Sequence, residues 1–352
     1  MAALALQAPL AYGQSAGAAV PALPALGDSA SEDLRVSDER RLGLQIMREL
    51  RRDPAYLDDP ILLEYVQSLW GPLVGAGRRL GHIGADIDGA FGWELFLVRD
   101  RAVNAFALPG GFVGVYLGLL AITESADELA SVLAHELAHV TQRHIARSIG
   151  SAQRVGVVSM AAMILALLAA SRAGSADVAQ AAVLGGQAAM IQGQLDFSRE
   201  MEREADRIGF TMFDGAGFAP EGMAAMFERL AFANRLFDTQ AYPYLRSHPL
   251  TTERIAEARS RLPLQGVEAP PDTARGDALA LHALMRARAR VLMASSSSEW
   301  QALQQGLGEQ QAATGSGGAA GHAQRAITEH AQRALASARL RDGTRAQREA
   351  GA

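Results

Sequence analysis

The chain has no cysteine. A disulfide framework is therefore excluded, and so is any metal site built on thiolates. Lysine is missing as well. All 33 basic residues are arginine, against 38 acidic ones, for a net charge of −5. Nothing in that balance leaves an electrostatic footprint for nucleic acid. Aromatic residues are sparse at 6%, yet hydrophobic residues make up 49%, which argues for a packed core over disorder. Long apolar runs are few. Val155 to Ser171 holds 17 residues without a charge, just short of a membrane-spanning helix. The stretch Ala176 to Ile191 is diluted by Asp177, Gln180 and Gln187 and makes a poor span.

The 352 residues divide by pattern. Met1 to Tyr12 is apolar and followed by small residues, like the end of a secretory signal peptide, although the first basic residue is Arg35 and a basic leader segment is missing. Residues 1–34 read as a signal-like, unstructured leader, and a secretory origin is the expectation. Residues 35–265 read as one domain, 266–272 with Pro270-Pro271 as a linker, and 273–352 as a helical tail. His322 to Arg341 resembles one helix of a helical-hairpin repeat, with no second copy at a fixed period. Helical patterns cover Ser37 to Arg52, a segment opened by Asp58-Asp59-Pro60, Phe197 to Phe213, Pro220 to Phe237 and Thr252 to Leu262. Trp93 to Val98 and Phe112 to Tyr116 read as strands, joined by a turn-rich link from Asn104 to Gly111. The fold class is mainly α with a small β-sheet.

Ser125-x-x-Glu128 is a capping box. It opens a helix expected to run to about Ser148, and His135-Glu136-Leu137-Ala138-His139 lies in its middle. Histidines at i and i+4 share one helical face, one turn apart. Both imidazoles can then reach one metal ion, and the intervening Glu can reach the water beside it. A third protein ligand is usual. The extension that supplies a third histidine would need Gly at 142 and His at 145, but the chain has Gln142 and Ile145. A carboxylate from a later helix is the other common solution. Glu202 shares the apolar face of its helix with Ala205, Asp206, Gly209, Phe210 and Phe213. Glu200 lies on a charged face with Arg203, Glu204, Arg207 and Thr211. A carboxylate forced onto a buried face needs a partner, and a metal serves. Glu202 is thus the ligand candidate, with Asp206 placed to accept from a ligand His. His144 falls off the ligand face and reads as a packing residue; His82, His282, His322 and His330 read as solvated.

The two motifs together resemble the zinc peptidases of metallopeptidase family forty-eight, which have a zincin-like fold. Asn104 to Gly111, Ala134 to Arg147, Phe197 to Gly209 and Ser247 to Leu250 look like that family's segments in its order, over roughly residues 35 to 265. The closest resemblance is to soluble periplasmic members, whose long tetratricopeptide array this sequence largely lacks. The resemblance implies one Zn²⁺ per chain on His135, His139 and Glu202, with Glu136 as general base. It implies His248 as a plug on the fourth position or a donor to the oxyanion, with Arg254 a weaker donor candidate. It also implies Asn104, Gly110 and Gly111 as substrate contacts, and the strand after Gly111 as an edge that pairs with extended substrate. Unfolded or stalled polypeptides are the implied substrates, with the outer-membrane assembly machinery as partner. A chaperone with a silenced site and an integral membrane protease are the competing readings. Since His139 and Glu202 must meet at one ion, a single span between them would separate them. Val155 to Ser171 is therefore expected to be a buried or cleft-covering helix that touches at most the membrane surface.

Overall fold

The computed structural model describes residues 34–150, 199–236, 243–262, 272–305 and 319–342, with Arg345, Arg348, Ala350 and Gly351. The apolar segments Val155 to Ser171 and Ala176 to Ile191 lie outside the described residues. Among the described residues, no helix is long and apolar enough to cross a membrane.

A four-stranded sheet runs in the order β1 (Tyr56–Leu57), β2 (Glu94–Val98), β4 (Phe112–Tyr116), β3 (Ala105–Leu108). β2 and β4 are parallel; β3 and β4 form an antiparallel hairpin. Two expectations are corrected here. The Asn104 to Gly111 link contains a strand, β3. The strand after Gly111 is central, buried at all five residues, and β3 is the edge. Pro109, Gly110 and Gly111 turn the hairpin, and both glycines take positive φ, +77° and +86°, which side-chain-bearing residues rarely adopt. A four-residue strand beside such a turn shows no alternation long enough to register as a strand.

The sheet alternates its side chains between two apolar layers. Phe96, Val98, Phe112 and Tyr116 meet helix α1 (Val36–Leu50) through Leu42, Ile46, Met47 and Leu50. Leu95, Leu97, Val113 and Val115 face helices α2 (Pro60–Arg79) and α5 (Ala126–Thr141). Helices α3 (Ala85–Asp88) and α4 (Leu117–Ile122) are short connectors. The cap of α5 forms as the spacing predicts on one side: Ser125 Oγ accepts from the Glu128 N–H at 3.1 Å. Glu128 reaches back to the N–H of Glu124 at 2.7 Å, and Arg229 grips the same carboxylate.

The helix expected to reach Ser148 stops at Thr141. Arg143 takes φ +51°, which interrupts the helix, and a separate helix α6 (His144–Gly150) follows. Arg143 is held there by Glu39 Oε2 at 2.8 Å and the Leu34 carbonyl at 2.6 Å. Beyond the undescribed segment, α7 (Arg199–Gly215) lies along α5. α8 (Glu221–Leu236) packs on α5, and α10 (Thr252–Ser260) on α8. The short α9 (Pro243–Ser247) comes between them in the chain. The described part of the tail is docked on the domain. α11 (Asp272–Met293) packs on α4 and α2. α12 (Ser297–Gln305) and α13 (Ala319–Arg339) bundle with it. His282 of α11, expected to be solvated, is fully buried between the Tyr65 hydroxyl at 2.5 Å and the Thr123 carbonyl at 3.0 Å.

Candidate metal centre

α5 carries His135, Glu136 and His139, none more than 2% exposed. α7 can lie close enough to complete the site because Gly209 has no side chain. A Cβ there would stand 3.0 Å from the Ala134 carbonyl oxygen and 3.2 Å from the His135 Cα. That approach puts Glu202 and Asp206 opposite the histidines. His248 enters from the segment after α9, its N–H bonded to the Tyr244 carbonyl at 2.8 Å.

One donor atom each from His135, His139, Glu202 and His248 lies within 4.8 Å of all the others, and all four residues are buried. The Nε2 atoms of His135 and His139 are 3.0 Å apart. At most one proton fits between them, so lone pairs converge on a shared centre. Glu202 Oε1 lies 3.5 Å from His139 Nε2 and 2.9 Å from His248 Nδ1. Buried, converging nitrogen and carboxylate donors without a thiolate match the ligand chemistry of zinc. The residues fit the ion.

Each helix histidine is held from behind. His135 Nδ1 meets Asp206 Oδ1 at 3.0 Å, and Asp206 accepts from Arg254 Nε and Nη2 at 2.6 and 2.9 Å. Arg254 also stands 3.1 Å from Glu202 Oε2 and donates to the Pro249 carbonyl at 2.8 Å. Its donors are spent on the carboxylates and the His248 loop, so it is a clamp on the site and not an oxyanion donor. His139 Nδ1 meets His144 Nδ1 at 2.8 Å. His144 Nε2 meets Glu204 Oε2 at 3.1 Å, which Arg147 also grips at 2.8 Å. Sequence reasoning missed His144 and Glu204, because a straight helix would carry His144 away from the site.

The charges follow from this packing. Burial works against a charged His135, but Asp206 and Glu202 outweigh it and raise the group to about 9. Burial holds His139 well below its usual range, helped by the neighbouring His135 and His248. Burial likewise depresses His144 to about 4, against the pull of Glu204. Glu202 is disfavoured as an anion by burial, yet His248 and His135 hold it well below the usual carboxylate range. A cation held by this group would compete with the proton that Asp206 and Glu202 favour on His135.

Glu136 Oε2 accepts from the Ala107 N–H of edge strand β3 at 3.0 Å. Its Oε1 has no hydrogen-bond partner and lies 3.5 Å from His248 Nε2. All four β3 residues are in register with β4; the Tyr116 N–H donates to the Asn104 carbonyl at 3.1 Å, and by antiparallel alternation from that pair the backbone groups of Ala105 and Ala107 face away from β4. Asn104 is buried at the start of β3 with an unpartnered Oδ1. Gly110 and Gly111 sit at the hairpin turn against Arg40, Phe91 and Trp93, and the structure does not bring them into the His/Glu group. The backbone at the general-base candidate is that of Ala107, which carries no side-chain signal in sequence.

Fold and site together define a zincin-like metallopeptidase domain. The chain belongs to Peptidase family M48, whose model it matches over residues 81–262. It is 39% identical over 239 residues to a putative beta-barrel assembly-enhancing protease of Vibrio cholerae serotype O1, covering 68% of this chain and 47% of that protein. The beta-barrel assembly-enhancing protease of Escherichia coli K12 is 34% identical over the same shares. The mitochondrial metalloendopeptidase OMA1 of Schizosaccharomyces pombe is 36% identical over 49% of this chain and 47% of its own length. The chain thus spans about half the length of these relatives.

Proposed function

We propose that the chain is a zinc-dependent metalloendopeptidase that cleaves misfolded or stalled outer-membrane proteins in the periplasm. The observation that carries this reading is the buried group of His135, His139, Glu202 and His248 with Glu136 beside it. His135, His139 and Glu202 would hold the zinc ion, which when bound would supply a Lewis acid for the carbonyl oxygen and the attacking water. Glu136 takes the proton of the attacking water on Oε1, its unpartnered oxygen. The Ala107 N–H fixes its other oxygen. Glu136 then delivers the proton to the leaving amine nitrogen. On the outer side of β3, Ala105 is fully buried and the Ala107 N–H is held by Glu136, so an extended polypeptide adding as a strand would reach this edge at the part-exposed Phe106 and Ala107, next to Glu136. The bacterial relatives are named as proteases that enhance beta-barrel assembly, which supports this class of substrate and an assembly-machinery partner.

His248 supports a latent form of this activity. Its Nδ1 sits 3.2 Å from His135 Nε2 and 2.9 Å from Glu202 Oε1, among the ligands rather than at the rim. With zinc bound, a fourth nitrogen among the ligands would compete with water for the ion. Held there permanently, it would leave a chaperone with a silent site. Cleavage of casein and of an unfolded outer-membrane protein separates the readings. Glu136→Gln loses at least about 10²-fold in rate, and His248→Ala is faster than the unaltered protein. If His248→Ala is slower, His248 is an oxyanion donor instead. The peptidase reading fails if zinc-loaded unaltered protein, Glu136→Gln and His248→Ala all leave both substrates intact. Metal analysis gives about one zinc per chain, lost in Glu202→Ala and kept in Glu200→Ala.

A further inference from the structure

The backing of His139 is built differently from that of His135. His135 has a carboxylate directly behind it, whereas His139 has a neutral-sized ring and then a carboxylate. The break after Thr141 makes this arrangement. On a continuous α5, a residue five positions after His139 would point about 140° away from it. Arg143 at φ +51° interrupts the helix, and the His144 ring at the start of α6 lies against the His139 ring, centroids 4.8 Å apart and edge to face. His144 is fully buried. It is anchored at the far nitrogen by Glu204, which Arg147 holds and which borders a polar cleft lined by His82, Thr141, Gln142 and Arg207.

The proton positions then follow from a ligand role for His139. A neutral His139 that presents the Nε2 lone pair to a cation carries its proton on Nδ1. That N–H needs an acceptor, and the atom facing it is His144 Nδ1 at 2.8 Å. His144 must then carry its own proton on Nε2, where Glu204 Oε2 accepts it at 3.1 Å. Glu204 thereby selects the His144 tautomer, and His144 selects that of His139.

We propose that His144 and Glu204 form a tautomer-setting relay that positions His139 as a metal ligand. Neither residue touches the ion or the substrate; both act through His139. The inference rests on the zinc reading of the site. Partners of this kind typically contribute 10–100-fold in metal affinity.

The zinc dissociation constant, measured by competition with a chromophoric chelator, tests it. His144→Leu removes the acceptor and is expected to weaken binding about 10–100-fold. His144→Asn keeps an oxygen where Nδ1 stood and recovers most of that loss. Glu204→Gln keeps the shape but not the anion and weakens binding several-fold. Glu200→Gln, on the exposed face of the same helix, leaves it unchanged. The visible absorption of the cobalt-substituted protein shifts in His144→Leu and returns in His144→Asn. The relay is overturned if His144→Leu binds zinc like the unaltered protein, or if His144→Asn is no better than His144→Leu, which would make the ring a packing residue. Should His144→Leu fail to fold by circular dichroism, Glu204→Gln decides, since its side chain is part-exposed; unchanged affinity there sinks the proposal. Unaltered protein that binds no zinc sinks the metal reading itself, a separate result.

Discussion

Arg254 is 5% exposed and faces carboxylate oxygens from two residues, Asp206 and Glu202. Burying two carboxylates beside one another is costly, and the cation between them is what makes the pair tolerable. Those carboxylates in turn keep Arg254 firmly charged, against the opposing effect of burial. Removing a partner from such a buried cluster strands a charge, a loss of about 3–5 kcal/mol. Arg254→Met should lower the metal-free unfolding free energy in urea by that amount. Arg203→Met should change it by no more than about 0.5 kcal/mol, because Arg203 is half exposed and only 3.9 Å from Glu200 and 3.6 Å from Glu253. Equal losses in the two variants would show that Arg254 is not a buried clamp.

The contact between α5 and α7 turns two separate motifs into one site, and Gly209 sets its distance. A side chain at 209 meets the backbone of Ala134 and His135, which cannot swing aside as a flexible side chain would. Gly209→Val should therefore destabilise the protein by roughly 1–3 kcal/mol through overpacking and weaken zinc binding along with it. Gly77→Val serves as a control for packing alone, since its close neighbours are the side chains of Ile83 and Met212; it should affect stability without changing zinc affinity in the folded fraction. Unaltered zinc binding in Gly209→Val would contradict the spacing argument. Sequence pattern carried this helix pair well. The i, i+4 histidines and the apolar face of α7 are helical periodicities, and they placed Glu202 and Asp206 against His135 and His139. What periodicity could not carry was the end of α5. Gln142-Arg143 contains neither Gly nor Pro, and the left-handed turn at Arg143 depends on Glu39 and Leu34, about a hundred residues earlier. His144 and Glu204 stayed hidden behind that turn. β3 stayed hidden for the opposite reason: its turn signals were strong enough to mask four residues of strand.

At the scale of the whole molecule, the tail is tied to the peptidase domain through buried polar contacts. Arg288 of α11 binds Asp59 of the α2 cap at 2.7 Å, and His282 sits between Tyr65 and the Thr123 carbonyl. A lone histidine on a helix gives no sign in sequence of such a seat, because both partners lie more than 150 residues away. Burial depresses His282 to about 3; the Thr123 carbonyl opposes that shift, while Arg286 and Arg229 add to it. Its unfolded value is near 6.5. Between those values the unfolded chain holds a proton that the folded protein does not, so stability rises with pH across this window. The contribution is complete above about pH 6.5 and is lost as the pH falls toward 3, at roughly 1.4 kcal/mol per unit. Carboxylates, and His139 and His144, also titrate in acid, so the informative quantity is a difference. His282→Gln keeps polar groups for Tyr65 and Thr123 but cannot take up the proton. Urea unfolding of both proteins at half-unit steps from pH 7 to 5 should show the stability advantage of the unaltered protein shrinking steadily below pH 6.5. A gap that stays constant over that range would mean that His282 titrates alike in the folded and unfolded chain, and that the seat between α2, α4 and α11 is open to water.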